Sequence, residues 1–236
     1  MTRHQKRITV PRSWPIERKV HTWVPKISPG PHTAEDSMPI LMVLRDMLKV
    51  ADNAREAKRA MYESNVLING KVRKDPKFPV GIFDIISLPA LNQNYRMMRD
   101  SRGMFYFQQV DASDAKRLVR IANKTTIKGG KQQLNLNDGT NMIVDGDYKA
   151  GDSLILSLDD GKIADRIEFK EGNLAMVIGG QHTGQIGKLK SIIVVKSSRP
   201  NRVVISGQKE FETIVDYVYM IGRDAPAINV NAGAVR

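Results

Sequence analysis

Val66-Leu67-Ile68-Asn69-Gly70-Lys71-Val72-Arg73 carries the most decisive local signal in the chain. Strand-forming residues flank Asn69-Gly70. Both positions of a two-residue hairpin turn need positive φ, which Asn and Gly accept most readily. The octapeptide therefore reads as a β-hairpin with a basic second strand. Upstream of it, Asn53 starts a short helix, with Glu56 placed for a capping box. That helix turns Ala54, Ala57 and Met61 to one side and Arg55, Lys58 and Arg59 to the other. Further upstream, Ile40, Leu41, Leu44, Met47 and Leu48 recur at helical spacing, which predicts a first helix beginning near Ser37. Arg45 and Lys49 lie four apart on a different face of it. Downstream, Phe83 to Leu88 predicts a further strand. Residues 37–94 thus read as a helix, helix, hairpin, strand module.

From Tyr95 the pattern is β throughout. Met104 to Val110, Arg117 to Ala122, Leu134 to Leu136, Met142 to Val144, Leu154 to Leu158 and Lys162 to Phe169 read as strands separated by turn residues. Short strands at this spacing predict a small barrel or sandwich over residues 95–170. In residues 171–210, Ala175 to Ile178 reads as a strand, and Gly179, Gly180, Gly184 and Gly187 punctuate a tight loop. His182 and Thr183 are expected at its tip, either as ordinary exposed side chains or lying against RNA or a neighbouring protein, and at least one of the glycines is expected to have positive φ. Lys188 to Val195 and Arg202 to Ser206 supply further strands. Residues 211–236 read as a C-terminal extension, small and polar from Ala225 onward and expected to be loosely held.

Residues 1–36 behave differently. Pro11, Pro15, Pro25, Pro29 and Pro31 forbid a long helix. Arg3, Lys6, Arg7, Arg12, Arg18, Lys19 and Lys26 supply charge, and both tryptophans of the chain, Trp14 and Trp23, lie here. Such a segment is either a disordered basic tail or an arm that orders on RNA or on the domain body. Its removal is expected to leave a folded body.

Composition narrows the function classes. The formal charge is +12 over 236 residues, which points to a polyanionic partner. The excess is uneven: 7 basic against 3 acidic residues in 1–36, 9 against 5 in 37–78, but 13 against 12 in 79–170. No apolar run approaches the ~20 residues that span a bilayer, and no hydrophobic stretch follows the basic N-terminus, so a membrane partner is not expected and a cytoplasmic address is. The chain contains no cysteine, which excludes disulfides, thiolate metal sites and a cysteine nucleophile. His4, His21, His32 and His182 show no metal-ligand spacing. No phosphate-cradling loop occurs, since Gly179-Gly180 lacks a following Gly-Lys-Ser/Thr. The acidic pairs of the centre, such as Asp145-Gly146-Asp147, fit turn chemistry. Neither an enzyme, a cofactor nor a small-molecule substrate is indicated.

The helix, basic helix and Val-Leu-Ile-Asn-Gly-Lys-Val series resembles the RNA-binding module named from the bacterial small-subunit protein S-four. Residues 173–189, with Val177-Ile178-Gly179-Gly180-Gln181-His182-Thr183-Gly184-Gln185-Ile186-Gly187, resemble a KOW motif, which sits in SH3-like barrels. The order of parts resembles the archaeal and eukaryotic small-subunit ribosomal proteins of the S-four-e family. Arg12-Ser13-Trp14, Ser28-Pro29-Gly30-Pro31-His32, Arg99-Asp100-Ser101-Arg102-Gly103, Lys128-Gly129-Gly130-Lys131 and Gln133 to Gly139 add to this likeness. The short tail after Ala225 fits an archaeal member.

The resemblance implies an α+β, multi-domain chain. Its parts are a basic arm, a small helix-hairpin RNA-binding module, a central β-barrel-like domain and a C-terminal SH3-like barrel with a KOW motif. It implies small-subunit ribosomal RNA and neighbouring ribosomal proteins as partners, in the ribosome of the cytoplasm. Arg3, Lys6, Arg7, Arg12, Trp14, Arg18, Lys19, Lys26, Arg45, Lys49, Arg55, Lys58, Arg59, Lys71, Arg73, Lys74, Lys128, Lys131, His182, Thr183 and Lys188 are the candidate RNA-contacting residues. Two rivals use the same modules: an RNA-modifying enzyme, whose catalytic domain would have to fit between Tyr95 and Lys170, and a KOW-bearing transcription factor.

Overall fold

The computed structural model describes residues 4–63, 65–111, 114–158, 160–207 and 209–230. Within the arm, β1 (Gln5–Lys6) pairs antiparallel with β2 (Trp23–Val24), and a 3-10 turn covers Arg7–Thr9. The arm is part of the body: Val10, Trp14 and Val24 are buried, and Trp14 Nε1 donates to the Ser37 carbonyl at 2.9 Å. Burial of a tryptophan with its N–H satisfied removes the largest apolar side chain from water at no polar cost. Of the two readings of this segment, the structure shows an arm that orders on the domain body.

Strand β3 (Ser37–Pro39) stands where a helix start was expected. Pro39 explains the difference, since a proline holds the residue before it extended and lacks an N–H for the helix. The helix begins after it as α1 (Ile40–Met42) and continues as a wider turn through Val43–Met47. Lys49, at φ 52°, ends it in the left-handed region, so Lys49 and Arg45 do not share a helical face. Helix α2 (Ala54–Tyr62) starts where the sequence places it. Asn53 Oδ1 accepts from the backbone N–H of Arg55 and Glu56, while Glu56 reaches back to the N–H of Asp52 at 2.9 Å. Ala57 and Met61 are buried, and Arg55, Lys58 and Arg59 face solvent.

Strands β4 (Leu67–Ile68) and β5 (Lys71–Val72) form the hairpin, with Ile68 opposite Lys71 and Asn69 and Gly70 at φ 51° and 76°. Strand β6 (Pro79–Gly81) pairs with β3, and β7 (Ile85–Leu88) pairs with β4. Strands β8 (Gln93–Arg99) and β9 (Phe105–Val110) complete a five-stranded sheet in the order β5-β4-β7-β8-β9. The sheet thus crosses the boundary expected at 94/95. The β4–β5 hairpin is only two residues long on each strand, so β7 must find its second neighbour in β8.

The chain divides into two compact units. One runs to Arg99 and takes in Met104–Arg117; the other holds Asp100–Gly103 and the residues from Leu118 to Val230. Two five-stranded sheets follow, both in the second unit except that the first strand of the first sheet begins two residues before it, at Lys116. The first is ordered β12-β11-β10-β13-β14 and comprises β10 (Lys116–Thr126), β11 (Gln132–Leu136), β12 (Asn141–Val144), β13 (Ser153–Ser157) and β14 (Ile163–Ile167). Its core is Val119, Ile121, Leu134, Leu136, Leu154 and Leu156, with Met142, Val144, Tyr148 and Ile163 packed against them. The second is ordered β18-β17-β16-β15-β19. It comprises β15 (Leu174–Val177), β16 (Ile186–Ile193), β17 (Arg202–Ser206), β18 (Glu210–Ile214) and β19 (Val218–Gly222).

The segment expected as a C-terminal extension thus supplies strand β19 and most of β18, and β19 lies beside β15. Val218, Met220 and Ile221 are buried, which is why the strand is held. The tail after it is also tied down as far as Val230. Ala227 N–H donates to the Ile221 carbonyl at 2.7 Å, and Ile228 is buried. The expected looseness from Ala225 is corrected by these two anchors. Residues 231–236 lie outside the described ones.

Candidate nucleic-acid interface

The candidate cations separate by what surrounds them. On α2, Arg55 and Lys58 are exposed and meet no carboxylate among the described residues, whereas Arg59 Nε donates to Glu63 at 2.8 Å along the same face. On the hairpin, Lys71 and Lys74 are exposed, again with no ion pair among the described residues. Arg73 is half-buried, its guanidinium 4.5 Å above the Phe78 ring. Lys77 is exposed beside them. The surface of α2 and of the hairpin therefore carries cations with few anions to satisfy them, an arrangement suited to phosphates.

In the arm the picture reverses. Arg7 is almost wholly buried, donates from Nε to the Glu17 carbonyl, and lies 3.6 Å from Asp46. Arg18 spends its guanidinium on the carbonyls of Ile8, Val10 and Pro11 at 3.1–3.2 Å. Trp14 is inside. Almost nothing of Trp14 or Arg7 reaches solvent, and Arg18 is half-buried with its guanidinium on the arm's own carbonyls, so all three hold the arm in shape. Arg45 is half-buried against Asp46 at 2.9 Å, and Lys26 is half-buried. Lys6, Arg12 and Lys19 remain exposed, as does Lys49. Arg3 lies outside the described residues.

In the second unit, Lys128 and Lys131 are exposed at the β10–β11 turn. The glycine loop between β15 and β16 places its candidates unequally. Thr183 is buried and donates from Oγ1 to the Gly180 carbonyl at 2.7 Å, so it is not at a tip. His182 stacks on Phe211 with ring centroids 4.2 Å apart. Gly180, Gln181 and Gln185 are the exposed residues around the turn. Gly184 has φ 78°, and a β-carbon there would meet the Asp100 and Ser101 backbone at 2.9 Å. The glycine is needed because two backbones touch. Lys188 is exposed and 3.6 Å from Asp224.

A buried ionic knot went unread in the sequence. Asp84 is 1% exposed. Its carboxylate accepts from His32 Nε2 at 2.8 Å, Asn69 Nδ2 at 2.7 Å and Gly81 N–H at 2.8 Å, and lies 3.4 Å from Arg117. Burial alone would push the Asp84 carboxyl up. The charge and hydrogen bond of His32, the charge of Arg117 and the hydrogen bond of Asn69 outweigh it and hold the group at about 2. The knot joins the arm, the hairpin turn and the start of β10. Phe83 beside it has φ 66°, a conformation that a bulky residue takes only when its surroundings enforce it. Arg96 is fully buried in β8, bonded to the carbonyls of Asp114 at 2.8 Å and Lys116 at 3.0 Å; burial pushes its guanidinium down, against the opposing charge of Asp114. The signal for both was a charged residue embedded in an apolar strand pattern, as in Arg96-Met97-Met98.

The geometry joins a helix-hairpin module with unshielded cations to a strand-rich remainder, and comparison with known proteins agrees with that division. The model of the RS4NT (NUC023) domain matches residues 1–35, that of the S4 domain residues 38–86, and that of Ribosomal family S4e residues 91–163. A protein of Methanocella arvoryzae described as "Small ribosomal subunit protein eS4" is 50% identical over 226 residues, covering 95% of this chain and 96% of the relative. One of the same description from Archaeoglobus fulgidus is 45% identical over 231 residues, covering 96% and 97%. The crystal structure of the 30S ribosomal protein S4e from Thermoplasma acidophilum superposes with a TM-score of 0.68 at 32% identity, covering 79% of this chain and 95% of that one. The chain belongs to the S4e family of small ribosomal subunit proteins, as an archaeal member.

Proposed function

We infer that this chain is a structural constituent of the small ribosomal subunit that binds ribosomal RNA in the ribosome of the cytoplasm. It is not an enzyme; its family is one of ribosomal proteins, and the rivals of an RNA-modifying enzyme and a transcription factor fall away with that membership. The observation that carries the RNA reading is the set Arg55, Lys58, Lys71 and Lys74, exposed on a matched S4 domain and unopposed by carboxylates among the described residues. Such cations displace counterions from phosphates, a mechanism of electrostatics and shape that needs no cofactor. We read the sheet of β15–β19, which extends the barrel expected over 171–210 as far as β19, as an SH3-like barrel bearing a KOW motif at residues 173–189. Its glycines and the His182–Phe211 stack support that reading. The sheet of β10–β14 is read as a barrel-like domain that wedges between RNA helices, beside neighbouring ribosomal proteins.

The test is the salt dependence of binding between the full chain and protein-free small-subunit ribosomal RNA. Arg55→Ala, Lys58→Ala and Arg59→Ala together should lower the magnitude of the log–log slope by about 0.7 to 0.9 for each phosphate that is no longer neutralised. An unchanged slope with an intact fold would leave α2 merely solvated, and an unchanged slope in Lys71→Ala with Lys74→Ala as well would remove the basis of this reading.

A further inference from the structure

The two tryptophans of the arm have opposite fates. Trp14 is 2% exposed, with its N–H satisfied, while Trp23 is 58% exposed. A lone exposed apolar side chain is ordinary. What distinguishes Trp23 is its company. In β2, Val24 turns inward and Trp23 outward. Lys6 is its direct partner across the β1–β2 pair, and directly opposed residues project from the same face. His4, two residues before Lys6, stands on that face too, its ring centroid 5.7 Å from that of Trp23 at 56°. One side of this small ribbon therefore presents an indole flanked by a lysine and a histidine.

The surroundings are cationic. Residues 4–27 hold six basic residues and one acidic residue. Of the basic ones, Lys6, Arg12 and Lys19 are exposed and meet no carboxylate among the described residues. A flat aromatic face set among unopposed cations suits an unpaired nucleotide. The base stacks on the ring, and the phosphates on either side meet the charges. A protein partner would be expected to ask for a larger continuous apolar area or for acidic complementarity.

We propose that Trp23, with Lys6 across the ribbon, is a stacking platform for an unpaired base of ribosomal RNA. The proposal rests on the RNA-binding reading above and adds a site outside the S4 domain. Stacking and phosphate neutralisation separate by salt. Lys6→Ala lowers the slope of the salt dependence. Trp23→Ala lowers affinity at every salt concentration and leaves the slope as it was.

The experiment uses the full chain and protein-free small-subunit ribosomal RNA, with thermal melts to establish that each variant is folded. Trp23→Ala should weaken binding about 5- to 100-fold, the range that base–aromatic stacking supplies. Trp23→Phe should recover most of it and Trp23→Leu should not. As a check that needs no variant, emission of the wild-type protein accessible to acrylamide comes from Trp23, because Trp14 is buried, and RNA should protect it. Four results overturn the proposal. In the first, Trp23→Leu equals wild type while Trp23→Ala is weak, which makes the interaction merely apolar. In the second, all variants bind the naked RNA normally yet incorporate poorly into reconstituted subunits, which makes the face a protein interface. In the third, all behave as wild type in both assays. In the fourth, RNA leaves the quenching unchanged. If the wild-type chain itself fails to bind the RNA, the broader RNA-binding reading has failed and the platform falls with it, a result distinct from failure of Trp23 alone.

Discussion

The arm and the helix-hairpin module are both basic in sequence, and the structure uses their charges in opposite ways. In the arm, Arg7 and Arg18 bend inward to close the segment's own carbonyls, and Trp14 is packed away. In the module, Arg55, Lys58, Lys71 and Lys74 stand clear of any carboxylate among the described residues. The arm has little backbone pairing, with two residues on each side between β1 and β2, so side chains must satisfy its carbonyls. The module's helix and hairpin satisfy their own backbones and leave their side chains to a partner. Counting charges locates a candidate surface; asking which backbone groups still need donors tells whether those charges are available.

The sharpest way to break this contrast is to remove a buried member of the arm. Trp14→Ala should cost about 3–5 kcal/mol of stability, read as a fall in the midpoint of chemical denaturation. An effect below ~1 kcal/mol would mean that the arm only rests on the body. Acid tests the ionic knot next. Asp84 titrates at about 2 in the folded chain, below the ordinary carboxylate value near 3.9. Its contribution is therefore fully present above pH ~4 and is lost as pH falls through 2. It amounts to about 2–3 kcal/mol. Asp84→Asn should remove that acid dependence, and a pH profile unchanged between the two proteins would deny Asp84 the role. Lys71→Ala with Lys74→Ala probes the other region. Its denaturation midpoint should stay within about 0.5 kcal/mol of wild type while the salt slope of RNA binding falls by roughly 1.4 to 1.8. A destabilised variant with an unaltered slope would move these lysines to the arm's side of the comparison. A modest change in stability alone is expected at His182. Its stack on Phe211 makes His182→Ala cost about 0.5–1.5 kcal/mol, where an ordinary exposed histidine would cost less.

Legibility followed the range of the interactions. Asn53, Glu56 and Asn69-Gly70 act on residues a few positions away, and the cap and hairpin stand where the sequence puts them. Leu134 to Leu136 and Met142 to Val144 are equally local, joined through the Asn137-Asp138-Gly139 turn. Long-range partners were silent. Nothing in Trp14 announces Ser37, nor in His32 announces Asp84, 52 residues on. The same limit put β8 and β9 with the wrong neighbours and left β19 outside a sheet it helps to build. Among the candidate RNA-contacting residues, most of those on α2 and the hairpin are as exposed as expected. Trp14 and Arg7 are not, because each meets a backbone group that the folded chain brings near; Thr183 is not either, because it turns inward onto the Gly180 carbonyl three residues before it.

The way the arm is fastened has a consequence for synthesis. The Ser13 carbonyl accepts from the N–H of Phe105, His32 from the arm reaches Asp84, and Arg117 closes the same knot. The arm's own β1–β2 pair and its contacts with Ser37 and Asp46 need only the first 46 residues, but its remaining fastenings wait until about half of the chain has been made. During that interval a segment with two tryptophans and seven basic residues is only partly fastened. Its docking is late by topology, since pairings distant in sequence form slowly and translation proceeds from the N-terminus. A newborn copy is thus most exposed to wrong partners at its oldest end, and a chaperone that shields this end until Arg117 has emerged would act over the window in which shielding matters.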